Sequence, residues 1–454
     1  MREAVLDRLQ PFSTPGVNAF CIRLAAYRLR VPVTTFDKWV LQLGTGSHSR
    51  LMDSSLTDAA PAIGVRMARF KHETARVLLA SGLPGGVHEL APSSAAAAEC
   101  AARLGYPVVV KPDDMEKGAG VSADLRDEEA VRAAWDAARK VSPNVLVEKW
   151  APGFTHRLAV FNGHVIRVSR RIAGGVTGNG TNSVAELVSL VQEPQGQRRA
   201  LRRQGERRLT LDDEALGLLV QEGRDASYVP AAGEFVRLRR RDNMNAGGST
   251  ESVPLDQVHP DNLRLALDAA RLLRLDFAGV DLIMRDIAAS WLEAGALICE
   301  VNAQPQMAAR TEPELWNRVV SELVGPCSRV PARLLIVPDD LAREGAIVRR
   351  LASEEPGTSV SSRSCLWIAG RQATLAFTSG YLAAQALFRR TDVRAATCLM
   401  TLAELERMGL PLDQWTSIVS VVQPEPGSEH DRRLRAAMVM TRAHVTATEP
   451  ERES

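Results

Sequence analysis

Two short segments near residue 300 constrain what this chain can fold into more tightly than any other feature. Ala278-Gly279-Val280-Asp281-Leu282-Ile283 is apolar and rich in strand formers. Nineteen positions after Asp281 comes Glu300-Val301-Asn302, preceded by Ala296-Leu297-Ile298-Cys299. Both read as strand ends. A carboxylate in a strand that is apolar on both faces costs roughly several kcal/mol unless it is paired or metal-bound. The fold must therefore bring Asp281, Glu300 and Asn302 into one cleft. Hard oxygen donors of this kind hold Mg²⁺, or Mn²⁺ in its place, against nucleotide phosphates.

A lysine on another apolar strand, Val108-Val109-Val110-Lys111-Pro112, supplies a counter-charge for phosphate. Alone, Lys111 reads equally well as a solubilising charge on an edge strand. The loop after it, Asp113 to Val121, contains Gly118 and Gly120 and can fold backbone N–H groups over phosphates. Lys71, forty positions earlier, is a candidate second phosphate lysine. Val145 to Trp150 reads as a strand entering a hinge whose backbone can meet the edge of adenine, with an ordinary strand end as the alternative for Trp150. The histidines form no zinc or Ser/His/Asp spacing, and no Gly-Lys-Ser or Gly-Lys-Thr occurs, so a Walker A loop is absent.

At 454 residues the chain is long enough for two to four domains. A net charge of +2 with no basic-aromatic pattern argues against a nucleic-acid partner, and Arg198–Arg203 reads as a solvated helix or loop. Six scattered cysteines without a Cys-x-x-Cys pair read as reduced thiols. No apolar run reaches the roughly 18 residues of a membrane span, and the N-terminus lacks a signal peptide's apolar block. The expectation is a cytoplasmic protein without a membrane partner.

Residues 1–66 read as a short mixed segment packing on the core that follows. A helix is expected from Ala62 to Leu79 and another from Ala95 to Leu104 with Ser94 as its N-cap. Asp127–Lys140 reads as helical. Arg157–Phe161 and His164–Ser169 flank Asn162-Gly163, the strongest hairpin signal in the chain. Further helices are expected at Val184–Gln192 and Asn262–Arg274, and a strand at Val236–Arg239. Pro326–Pro331 reads as a linker. Beyond it, strands at Arg333–Val337, Cys365–Ala369 and Ala395–Met400 with a helix at Ala342–Ala352 predict a small parallel α/β unit over 331–445, before a polar disordered tail at 446–454.

Read together, residues from about 40 to 310 resemble the ATP-grasp module of cyanophycin synthetases. The resemblance is carried by Leu41-Gln42-Leu43-Gly44-x-Gly46, Val108–Pro112, Val147-Glu148-Lys149-Trp150-Ala151-Pro152-Gly153, Arg157 to Gly163, Gly178-Asn179-Gly180, Val236 to Arg239 with Asn243 and Gly247-Gly248, Val258-His259-Pro260, and Gly279-Val280-Asp281 through Glu300-Val301-Asn302-Ala303. It implies an ATP-grasp fold over 67–325, of mixed α/β and α+β class. It implies an ATP-dependent ligase that activates a carboxylate as an acyl phosphate and passes it to an amine. By position, Lys71, Lys111 and Gly118 are implied at the phosphates, and Glu148, Lys149 and Trp150 at adenine. Arg157 and Arg239 are implied at phosphate or acyl-phosphate charge, Asn243 at the acceptor, and Asp281, Glu300 and Asn302 at Mg²⁺. Small-molecule acid and amine substrates and a homo-oligomer, dimer or tetramer, follow from the same resemblance.

The sequence departs from that pattern in places. Thr155 stands where the family offers a carboxylate near the ribose, Asp113 to Glu116 replaces a richer Gly/His loop, and Gln304-Pro305-Gln306 replaces Pro-Gly. The C-terminal part resembles the opening of a Mur-ligase-like module. Its strand Leu334–Val337 is followed by Pro338-Asp339-Asp340 to Gly345, which lacks phosphate-holding lysine and hydroxyl groups. It reads as a truncated, non-catalytic relic. One active site favours a single coupling, in specialised metabolism, over an alternating polymer. A nucleotide-binding scaffold without ligase activity is the alternative, and a kinase releasing a stable phosphorylated product is a third reading.

Overall fold

The computed structural model describes residues 16–115, 120–192, 209–240, 242, 247–307, 312–343, 345–374 and 376–446. Gly118, Asn243, Arg198–Arg203, Glu344 and 447–454 of the expected tail lie outside them. The chain divides into two compact units, one formed by 59–307 and the other by 1–58 together with 308–454. No helix among the described residues is long and apolar enough to cross a membrane.

The N-terminal residues begin with helix α1 (Val17–Arg28) and a four-stranded antiparallel meander of β1 (Val33–Thr35), β2 (Val40–Leu43), β3 (Arg50–Asp53) and β4 (Leu56–Thr57). This segment was expected on the ligase core. Its hydrogen bonds instead reach residues from 328 onward. Gln42, 1% exposed, donates to the carbonyls of Gly44 and Phe388 at 3.3 and 2.8 Å. Thr45 N donates to Ser328 O at 3.0 Å, and Val330 N donates to Thr45 Oγ1 at 3.1 Å. A buried amide donor must find acceptors, and for Gln42 Nε2 the Phe388 carbonyl of the same unit is one of them. Pro326–Pro331 is accordingly a packed connection and not a free linker.

The middle unit opens with α2 (Ala62–Arg69) and α3 (Lys71–Ala80). One continuous helix was expected here. The helix breaks at Phe70, which is extended at φ −100°, ψ 113°, while Thr74 Oγ1 donates to Met67 O and Lys71 N turns to Asp113 O. β5 (His88–Leu90), α4 (Ser94–Leu104), β6 (Val108–Pro112), β7 (Ser122–Leu125), α5 (Glu128–Arg139) and β8 (Val145–Lys149) build an antiparallel sheet of order β5-β8-β6-β7. Ser93, one residue before the expected cap, accepts from Ala96 N at 3.1 Å. Both helices cover a small core of Val108, Val110, Val131, Val145 and Val147 with five alanines.

Next come β9 (Phe154–Phe161) and β10 (His164–Ile172), joined by Asn162-Gly163 with φ of 52° and 80°, the positive pair a type I′ turn requires. After them follow β11 (Gly175–Thr177), α6 (Val184–Gln192), α7 (Asp213–Gln221), β12 (Phe235–Arg237), β13 (Ser249–Val253), α8 (Pro260–Leu272), β14 (Phe277–Met284), α9 (Trp291–Ala294) and β15 (Leu297–Asn302). Strands β13-β10-β9-β14-β15 form one antiparallel sheet, and β11 pairs with β12. Along β14, Ala278, Val280, Leu282 and Met284 enter the main core with Leu265, Ala266, Ala269 and Ala270 of α8. Strand alternation sends Asp281 to the opposite face.

In the other unit, α10 (Pro313–Val324) packs on α1, with Trp316 buried. Then come β16 (Ala332–Ile336), α11 (Asp339–Arg343), α12 (Gly345–Glu354), β17 (Ser359–Ser361), β18 (Leu366–Ile368), β19 (Arg371–Gln372), α13 (Gly380–Phe388), β20 (Ala396–Met400), α14 (Leu402–Met408), β21 (Ser417–Ser420) and α15 (Glu429–Thr441). The sheet order is β19-β18-β17-β20-β16-β21. Its four strands β17, β20, β16 and β21 are parallel, but β18 and β19 run as an antiparallel edge. The expected all-parallel unit is therefore a mixed sheet.

Candidate active site

The antiparallel register aligns the decisive residues in one row. Asp281 of β14 lies opposite Arg157 of β9 on one side and Glu300 of β15 on the other, and Gly279 lies opposite Asn302. A β-bulge supports the row: Leu282 pairs with Ile298 and Asp281 with Glu300, leaving Cys299 as the extra residue. Such bulges re-aim side chains.

Asp281 is 1% exposed. Its Oδ1 accepts from Arg157 Nε at 2.6 Å and its Oδ2 from Arg157 Nη2 at 2.8 Å, a bidentate fork. Arg171 Nη2 reaches Oδ2 at 3.0 Å. Burial pushes the Asp281 carboxyl upward, and the two guanidinium groups outweigh it and hold its pKa below the ordinary value. Burial likewise opposes the charge on Arg157, and Asp281 more than restores it. Asn302, with its amide oxygen toward the guanidinium, accepts from Arg157 Nη2 at 3.0 Å and donates to Glu300 Oε1 at 2.9 Å. Gly279 admits the close approach of Pro305, since a Cβ there would stand 2.8 Å from Pro305 Cβ, while Arg157 Cδ at 3.6 Å would be at ordinary contact.

The lysines lie in a second cluster of the same unit. Lys111 and Glu148, on neighbouring strands β6 and β8, are both buried and form a short ion pair. Burial disfavours the charge on each. Their mutual attraction wins, so Lys111 lies above its usual pKa and Glu148 is held down to about 2. Lys71 Nζ donates to the carbonyls of Asp113 and Met115 at 3.2 and 2.8 Å. The buried Asp113 carboxylate holds the next residue, accepting from His72 N at 3.0 Å and meeting His72 Nδ1 at 2.5 Å. Lys71 is thus aimed by the loop that follows Lys111.

Other expected residues have different surroundings. Lys149 Nζ donates to Gly105 O at 2.6 Å, and Trp150 offers its backbone N to Pro107 O at 3.2 Å. Arg239 is buried with both Nη atoms on Asp212, at 2.9 and 3.0 Å, and further bonds to Thr210 and Leu238. Asp212 caps α7, so these contacts tie Arg239 to that helix rather than to the Asp281 row. Thr155 Oγ1 donates to Asp242 Oδ2 at 3.2 Å, and burial, opposed by Arg237, raises the Asp242 pKa.

Three residues that sequence reasoning missed are now prominent. Arg171 had a legible signal. The hairpin register places Ser169 opposite Arg157, and two residues further along, alternation returns Arg171 to that face. His88 and Asp113 had none, because their partners are distant in sequence.

Among the described residues, no group of three or more His, Cys, Asp or Glu side chains is placed to hold a metal ion. The set at the row is two carboxylates and a carboxamide. They are hard donors of the kind Mg²⁺ takes, but both Asp281 oxygens and the Asn302 oxygen accept from Arg157 here, so an ion at the row would share them with that guanidinium.

Residues 88–176 match the D-ala D-ala ligase C-terminus family, and residues 218–314 match the RimK-like ATP-grasp domain. The chain is 34% identical over 283 residues to cyanophycin synthetase of Trichormus variabilis, covering 61% of this chain and 30% of that protein. It is 31% identical over 281 residues to cyanophycin synthetase of Geminocystis herdmanii, covering 60% and 32%. The glutathione biosynthesis bifunctional protein GshAB of Desulfotalea psychrophila is 27% identical over 280 residues, covering 59% and 34%. The chain spans about a third of the length of these relatives.

Proposed function

We propose that this chain, which matches ligase families over 88–176 and 218–314, is an ATP-dependent carboxylate–amine ligase. A carboxylate oxygen of the acid attacks the γ-phosphorus of ATP, ADP leaves, and an acyl phosphate forms. The amine then attacks the acyl carbon, phosphate leaves with its bonding pair, and the amine proton is lost to give an amide. The row of Arg157, Asp281, Glu300 and Asn302 on three adjacent strands is the observation that carries this reading.

Asp281, Glu300 and Asn302 would hold Mg²⁺, which supplies charge neutralisation at the phosphates. The chain's own part is positioning and electrostatics. Arg157 holds both Asp281 and Asn302 through its guanidinium. Lys111, kept charged against its burial by Glu148, meets phosphate charge as Glu148 shares it, and Lys71 is aimed by the backbone carbonyls that bind it. The backbone of Glu148–Trp150 receives adenine. The mixed C-terminal sheet fits a non-catalytic module, since Asp339 and Asp340 at the start of α11 would repel phosphate. The likeness to cyanophycin synthetase and to the glutathione biosynthesis protein GshAB supports an acid and an amine drawn from amino acids and peptides, and a single coupling between two such molecules is the activity we assign.

The test is ADP release from MgATP against a panel of amino acids and small acids, with hydroxylamine to trap acyl phosphate and mass spectrometry to find amide. Acid-dependent ADP release with hydroxamate and amide products supports the ligase. Nucleotide binding without substrate-dependent turnover would leave a scaffold, and ADP without amide would indicate a kinase.

A further inference from the structure

The six-stranded sheet of the unit formed by 1–58 and 308–454 has two unlike edges. At one end β19 is two residues long and carries Arg371, the kind of short, charged edge that resists adding a further strand. At the other end β21 pairs with β16 alone, in an unshifted register. The run Thr416-Ser417-Ile418-Val419-Ser420-Val421-Val422-Gln423 contains no charge, proline or glycine, so none of the usual devices blunts this edge. Ile418 is buried in the core on one face of the sheet. Val419 and Val421 lie on the other face and are 45% and 47% exposed.

The backbone of this edge has a direction as well. Val421 N donates to Ile336 O at 3.0 Å, toward β16. By alternation, Ser420 turns its N–H and C=O to the open side, as do Ile418 and Val422. Among the described residues, the place beside β21 is taken only at its start. There Val445 bridges Trp415 in parallel, with Trp415 N donating to His444 O at 2.7 Å and Thr446 N to Trp415 O at 2.9 Å.

We infer that the occupant of the remaining edge is β21 of a second copy of this chain, running antiparallel about a two-fold axis at Ser420. The two Ser420 residues then exchange both backbone hydrogen bonds, and Ile418 of each copy pairs with Val422 of the other. Val419 of each copy faces Val421 of the other in the non-hydrogen-bonded position, where Cα atoms lie about 4.5 Å apart and side chains meet most closely. The exposed valines thereby close into one apolar strip. The ends match too. Pro424, which has no N–H to give, stops the added strand where Val445 of the other copy already fills the edge. Beyond it, the exposed Glu425 meets the exposed Arg442 in the turn before Val445. A parallel strand leaves those charges apart, which is why the antiparallel copy is the better occupant. Such an isologous contact closes on itself. It is independent of the ligase reading.

Sedimentation equilibrium of the whole chain, carried up to about 100 µM, reads the pairing. The wild type should form a dimer. Val419→Lys sets an ammonium against Val421 at both symmetry-related positions and should raise the dissociation constant about hundredfold. Adding Val421→Glu places a carboxylate opposite that lysine across the two-fold and should restore most of the affinity, a recovery that loss of fold does not produce. A wild type that stays monomeric overturns the inference and leaves the edge to a strand of another protein. A dimer indifferent to Val419→Lys, or one that Val421→Glu does not rescue, overturns it as well.

Discussion

Replacing Asp281 with Asn keeps the shape of the side chain and removes the charge on which two guanidinium groups converge. The wild-type carboxylate accepts at 2.6 and 2.8 Å from Arg157 and at 3.0 Å from Arg171. Its side chain is 2% exposed against 14% for Arg157 and 25% for Arg171. In the variant, one acceptor oxygen becomes an NH₂ that points donors at donors. Breaking a buried pair from one side costs about 3–5 kcal/mol, and the partial exposure of the arginines puts this case near about 3 kcal/mol. The two units need not unfold together, so the readout is native-state hydrogen exchange at the amides of β14, with urea unfolding beside it. Arg157→Met and the double variant complete a cycle, and the double variant should be less harmed than the sum by about 2 kcal/mol. A loss below about 1 kcal/mol in Asp281→Asn, with additive effects in the cycle, would show that the fork does not organise the row.

Glu300→Gln should abolish Mg²⁺-dependent ADP release while moving the melting temperature little, because Glu300 is only partly buried; full turnover in this variant would remove it from the ion's ligands. Gln42→Leu leaves the carbonyls of Gly44 and Phe388 without their donor and should cost about 1–3 kcal/mol, read as a lower urea midpoint for the unit containing 1–58. His156 is buried and lies near Arg170, which together lower its pKa from 6.5 to about 4. The unfolded chain therefore binds a proton that the folded chain refuses, so stability should decline as pH falls from about 6.5 toward 4. His156→Gln should flatten that part of the pH–stability curve, and an unchanged slope would contradict the assignment.

Local structure and the chemical inventory were legible in the order of the amino acids. The apolar run on either side of Asp281 requires a buried strand, Asn162-Gly163 requires a tight hairpin, and hard oxygens beside lysines point toward phosphate. These are short-range statements, settled by strand alternation and turn sterics within about ten residues. The break at Phe70 was not visible, because it follows from Lys71 turning toward Asp113, forty-two positions away. Where the N-terminal sheet docks was also hidden, since Gln42 finds its acceptor at Phe388. Most consequential are the partners of charged groups. Arg239 and Arg157 look alike in sequence, yet one is tied to Asp212 at a helix start and the other to Asp281 in the central row. A buried charge takes whichever countercharge the packing brings within about 3 Å, and only the tertiary structure decides which one that is.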